Sequence, residues 1–171
     1  MSRYDDLIAT VEAYQDLASE NYLRVRRLAE SLASGFCAYL GTDNPPCVIL
    51  VPPAGPFEPK SYGDQAFSIP PQGFRPLGPI LFGLAVRVSR AGHWIRVTME
   101  CRKVGDAFIV QIQGGPEQRF DLPLEAQDPS AMFDLIYQHV FDWFRDQSDR
   151  YQQGEFGARE IGFDFSDAAK A

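Results

Sequence analysis

Two histidines, His93 and His139, and three cysteines, Cys37, Cys47 and Cys101, set the ceiling on nucleophilic and metal chemistry in this 171-residue chain. A thiolate nucleophile needs a histidine within hydrogen-bond reach. His93 and Cys101 fall on one face of one predicted strand, but eight residues at strand rise hold them about 26 Å apart, so they form no dyad. His139, at the edge of the C-terminal helix's apolar arc, leaves open a partner among Cys37, Cys47 and Cys101, but the cysteines read more simply as small apolar core residues, and no zinc-ligand spacing occurs among the five. Asp142, Asp146 and Asp149 repeat at helical spacing like a metal stripe. Arg145 and Arg150 stand among them, which makes a solvated helix face the simpler reading. Gly105, Gly114 and Gly115 lie between predicted strands rather than ahead of a helix, so they serve turns and not a phosphate. The sequence therefore offers no catalytic residue, no metal site and no cofactor pattern.

Two surfaces are left as candidates. With turns at 91–92, 105–106 and 114–116, the predicted register pairs Leu84 with Met99, Cys101 with Val110, and Val110 with Phe120. The outer face then aligns Glu100, Gln111 and Arg119 and sets Arg102 near Asp121, which is ordinary charge matching. It also sets Arg87 opposite Arg96 with Trp94 alongside. Like charges so placed need an anion between them. That anion is either a carboxylate of the chain's acidic C-terminal region, Glu160 or Asp164, or an acidic partner or phosphate-bearing ligand docking on Arg87, Trp94 and Arg96. Arginine and aromatic residues on an open sheet also suit single-stranded nucleic acid, but a net charge of −7 and the lack of an aromatic pair on the central strands argue against it. The alternative surface is a pocket under the 52–79 connection, lined by Tyr62, Asp64 and Arg75.

The elements that position these residues follow from periodicity. Ser2 with Asp5 resembles a capping box, and apolar residues recur from Leu7 to Tyr39, with Gly41 placed to end the helix and Pro45-Pro46 forbidding its resumption. Within the 1–40 helical segment, a helix from about Arg3 to Leu40 would span roughly 57 Å. That exceeds a small domain, so the helix either breaks near Ser19–Asn21 or presents its overhang to another chain. Cys47–Val51 reads as a short strand. Ten of the 13 prolines then fall between Pro45 and Pro79, which marks a long connection with a possible short strand at Ala66–Ile69. Residues 80–124 alternate as a meander, with Phe82, Leu84, Val86 and Val88, then Ile95, Val97, Met99 and Cys101, then Phe108, Val110 and Ile112, then Phe120, Leu122 and Leu124 turned inward. Asp128-Pro129 opens a helix over 128–153 that ends at Gly154 and turns Phe133, Ile136, Tyr137, Val140, Phe141 and Phe144 to one side. An extended piece is expected at Glu160–Phe165, and 166–171 reads as a disordered tail.

These elements make one α+β domain over 1–165, an antiparallel four- to five-stranded meander packed against an N-terminal and a C-terminal helix. Residues 80–113 are locally basic within an acidic chain, which suits neutralisation of the chain's own acidic part more than docking. The odd cysteine count, the acidic opening residues and the lack of an apolar span imply a reducing, cytoplasmic setting and no membrane partner. The functional expectation is a non-enzymatic protein-interaction module, adaptor or chaperone-like, with a homodimer through the N-terminal helix. The alternative is a small-molecule-binding protein or enzyme with its pocket beneath the 52–79 connection.

Overall fold

The computed structural model describes residues 1–42, 44–70, 73–155 and 162–166. Helix α1 (Arg3–Leu40) runs unbroken. Its start is closed by a reciprocal capping box: the Ser2 hydroxyl accepts from the Asp5 N–H at 3.1 Å, and the Asp5 carboxylate accepts from the Ser2 N–H at 3.0 Å. Gly41 ends it at φ 70°, a conformation that needs glycine. The break expected near Ser19–Asn21 does not occur. Ala18, Asn21, Tyr22, Val25, Leu28, Ala29, Leu32, Ala33 and Phe36 are buried, whereas almost everything from Arg3 to Leu17 is exposed.

The sheet is antiparallel, with β1 (Val48–Val51), β2 (Ile80–Arg87), β3 (Trp94–Val104), β4 (Ala107–Ile112) and β5 (Glu117–Asp121) in sequence order, while β6 (Asp164–Ser166) pairs with the start of β3. Residue Glu160 and the tail 167–171 lie outside the described residues. Ser166, expected in the tail, closes β6. The predicted strand at Ala66–Ile69 is instead a 3-10 turn over Gly63–Ala66, followed by a single bridge from Phe67 to Phe82.

Two of the three predicted registers are shifted by two residues. Leu84 faces Val97 rather than Met99, because the β2–β3 turn spans four residues instead of two: Val88 N–H donates to the His93 carbonyl at 2.9 Å, and the Ser89 hydroxyl ties down His93. Val110 faces Gln118 rather than Phe120, because the Gln113 N–H leaves the hairpin to donate to the Thr98 carbonyl at 2.8 Å, drawing the turn back by one residue. Cys101 does face Val110. An even shift keeps every side chain on its face, so the inward set is as expected, except that Val88 is exposed. The outer row becomes Glu100, Gln111 and Glu117.

The core lies between the inward sheet face and the two helices. Helix α1 packs on β1 and β2, and α2 (Ser130–Gln152) packs on β5 and α1. Asp128 receives the Ser130 N–H at 3.0 Å at the start of α2, and Gly154 follows its end at φ 83°. Only Met132, Phe133 and Ile136 of α2 are buried. Phe141, expected in the core, is 43% exposed and stacks on Tyr137, while Tyr137, Val140 and Phe144 are only partly buried against the core and Phe163 packs on His139, Trp143 and Phe144.

The cysteines bring the largest correction. Cys37 near the end of α1 and Cys47 just before β1 form a disulfide with Cα atoms 5.4 Å apart, and only Cys101 is a buried free thiol. The odd count therefore does not exclude a bridge, and the step from cysteine usage to a reducing compartment loses its basis. No helix among the described residues is long and apolar enough to cross a membrane.

Candidate interaction surface

The outer-face trio does not form one site. Arg87 lies opposite Trp94, and Arg96 lies opposite Ala85, so the two guanidiniums are not apposed. Arg87 reaches away from the sheet and donates to the Asn44 carbonyl at 2.5 Å. Trp94 is buried in a small second core with Val51, Phe57 and Ala85. Arg96 is only 3% exposed: it donates to the Pro52 carbonyl at 3.2 Å, the Gly55 carbonyl at 2.7 Å and Asp164 at 2.6 Å, and its guanidinium lies over the Phe57 ring at 4.9 Å. The 52–57 segment thus folds over the outer sheet face, and Arg96 is its anchor. Asp164 is one of the two carboxylates the sequence offered for this role, and the structure brings it there. Gly83 makes the close approach possible, since a Cβ there would sit 2.7 Å from Arg96 Cδ and 2.9 Å from the Pro52 carbonyl oxygen.

The second trio is divided in the same way. Asp64 accepts from the Tyr22 hydroxyl and pairs with Arg26, which ties the 3-10 turn to α1. Burial, and then Asp64, push the Tyr22 phenol up to about 12, so it stays protonated as a donor. Arg75 lies over that ring at 4.3 Å and donates to the Pro70 carbonyl at 3.0 Å. Tyr62 alone opens onto a cleft of about 720 Å³ between α1 and β1, with Arg26, Ser34, Ile49, Leu50 and Phe67. Of the three expected polar residues only Tyr62 lines the cleft, and its hydroxyl accepts from the Glu58 N–H at 3.0 Å.

Nucleophile chemistry has equally little to work with. Burial pushes the Cys101 thiol up to about 12, away from the thiolate, and burial pushes His139 below the usual histidine value. Among the described residues no group of His, Cys, Asp and Glu is placed to hold a metal ion.

What is exposed and organised is the start of α1. Tyr4 is 69% and Leu7 59% exposed, and with Ile8 and Val11 they form one apolar stripe, while Asp5, Asp6, Glu12 and Asp16 lie off it. At its inner end Tyr14 stacks on Phe74 with ring centroids 5.6 Å apart, and its hydroxyl accepts from the Leu77 N–H at 2.6 Å. Phe74 is itself 57% exposed, and Leu77 is exposed beside it, which extends the stripe onto the connection. Sequence reasoning passed over these two residues, although two large apolar side chains in a Pro/Gly-rich loop were a usable signal. No family model, no curated protein and no solved structure matches the chain.

Proposed function

We propose that this chain is a non-enzymatic protein-interaction module, adaptor or chaperone-like, that engages proteins through the projecting start of α1, self-association included. The observation that carries the reading is that stripe: a helix capped by Ser2 and apolar along one side, with Tyr4, Leu7 and Ile8 left exposed by the described residues. An exposed apolar run on a helix continuous with the core is the form in which amphipathic recognition operates. The test compares tagged parent with the Leu7→Asp/Val11→Asp double variant, both at the same melting temperature. Proteins retained by the parent and lost by the variant support the reading, and identical retention overturns it.

The cleft beside Tyr62 favours a second reading, binding of a small apolar molecule beneath the 52–79 connection. Metabolite extract should then slow hydrogen exchange in residues 61–67 of the parent and not of Tyr62→Ala. Equal exchange with and without extract removes this reading.

A further inference from the structure

Tyr4, Leu7, Val11 and Tyr14 continue upstream, at alternating three- and four-residue steps, the line of Ala18, Asn21, Val25, Leu28 and Leu32. From Ala18 onward that line is buried on the chain's own fold; before it, Tyr14 and Val11 are half-buried and Leu7 and Tyr4 are exposed. A heptad line with no charged residue on it is the pattern by which two helices pack, and a strict seven-residue repeat keeps the seam facing its partner. Resting on the interaction reading above, we propose that the occupant of the stripe is the same stripe of a second copy, running antiparallel, with Tyr4 of each chain near Tyr14 of the other and Leu7 near Val11.

The fold itself selects the direction. In a parallel pair the partner helix would follow the seam past Ala18, where the chain's own core already occupies that side of α1. In an antiparallel pair each helix ends where the other body begins, and the overhang from Arg3 to Leu17 is the length that fits. Tyr4 and Leu7 of the partner then also meet Phe74 and Leu77, which lie exposed at the inner end of the stripe. The acidic residues Asp5, Asp6, Glu12 and Asp16 stay on the solvent side, so the contact brings no like charges into its seam. The exposed apolar side chains amount to roughly 500 Å² per chain, about 1,000 Å² for the pair, at the threshold of a specific interface. The dimer is therefore a reversible one.

Disulfide mapping reads the direction. With Cys37 and Cys47 bridged and Cys101 buried, an introduced thiol on α1 is the reactive one. Leu7→Cys and Val11→Cys chains are prepared separately and oxidised mildly, alone and mixed. The mixture should form the crosslinked dimer several-fold faster than either chain alone. Leu7→Cys crosslinking to itself as fast as the mixture overturns the antiparallel arrangement. Absence of any crosslink, with the parent monomeric in light scattering, overturns the second copy as occupant. In that case the broader reading stands if the Leu7→Asp/Val11→Asp variant loses retained proteins, and falls if it does not.

Discussion

Arg96 on β3 and Asp164 on β6 close an ion pair at 2.6 Å in which the arginine side chain is 2% exposed and the carboxylate 63%. The pair is asymmetric in consequence. Removing Asp164 leaves a buried cation with two carbonyl acceptors, whereas removing Arg96 leaves those carbonyls of Pro52 and Gly55 under the covering segment without their donor.

Arg96→Gln is accordingly expected to lower stability by about 2–3 kcal/mol in any buffer, and Asp164→Asn by about 1 kcal/mol. Phosphate and sulfate should not raise the parent's melting temperature more than sodium chloride does at equal ionic strength. A specific anion effect lost in Arg96→Gln would instead mean that Arg96 binds an external anion.

Gly83→Ala should be destabilising by about 2 kcal/mol, because its methyl group would press on the Arg96 side chain and on the Pro52 carbonyl, and the backbone cannot yield as a side-chain tip would. Hydrogen exchange should accelerate in 52–57 first. Unchanged exchange there contradicts the covering role of that segment.

Reduction of the Cys37–Cys47 bridge, or the Cys37→Ala/Cys47→Ala variant, should lower stability by about 3 kcal/mol, the chain-entropy value for closing a loop with a sequence separation of 10. Thermal melts with and without reductant check this, alongside mass spectrometry of the alkylated chain. Three alkylated cysteines in the unreduced protein would contradict the bridge.

How much of this was legible depends on which sequence signal each feature rests on. The faces of β2, β3 and β4 were readable because alternation is a property of each strand alone. The register was not, because it depends on turns: the Ser89 hydroxyl holding His93 and the Gln113 N–H leaving for Thr98 each moved a hairpin by two residues. That shift spared the core and dissolved the apposition of Arg87 and Arg96. Asp164 could be named because an acidic tail and a basic sheet suggest each other. The bridge could not, since Cys37 and Cys47 meet only after α1 ends at Gly41 and the chain turns back through Pro45-Pro46. The α1 overhang was readable from helix length alone, whereas the role of Phe74 and Leu77 required knowing where the connection lands.

His139 supplies a pH dependence of definite sign. Burial lowers its pKa from 6.5, so below that value the unfolded chain binds the proton more readily than the folded one. Its contribution is intact above the unfolded pKa and is lost as pH falls from there through the folded one. Asp5 and Asp128, also lowered, lose theirs only below the unfolded carboxylate value of 3.8. The melting temperature should therefore fall between pH 7.5 and 5.5 in the parent and less in His139→Gln. Parallel curves for the two proteins contradict this assignment.

Self-association through the projecting stripe of α1 is tested most directly by sedimentation of the full chain over a wide concentration range, with Leu7→Asp as comparator. The parent should move from the 19.2 kDa chain mass toward twice that value as concentration rises, while Leu7→Asp, close to the parent in stability because Leu7 is 59% exposed, should stay at the chain mass. A parent that remains at 19.2 kDa throughout, or a Leu7→Asp variant that associates as the parent does, would contradict self-association through this helix.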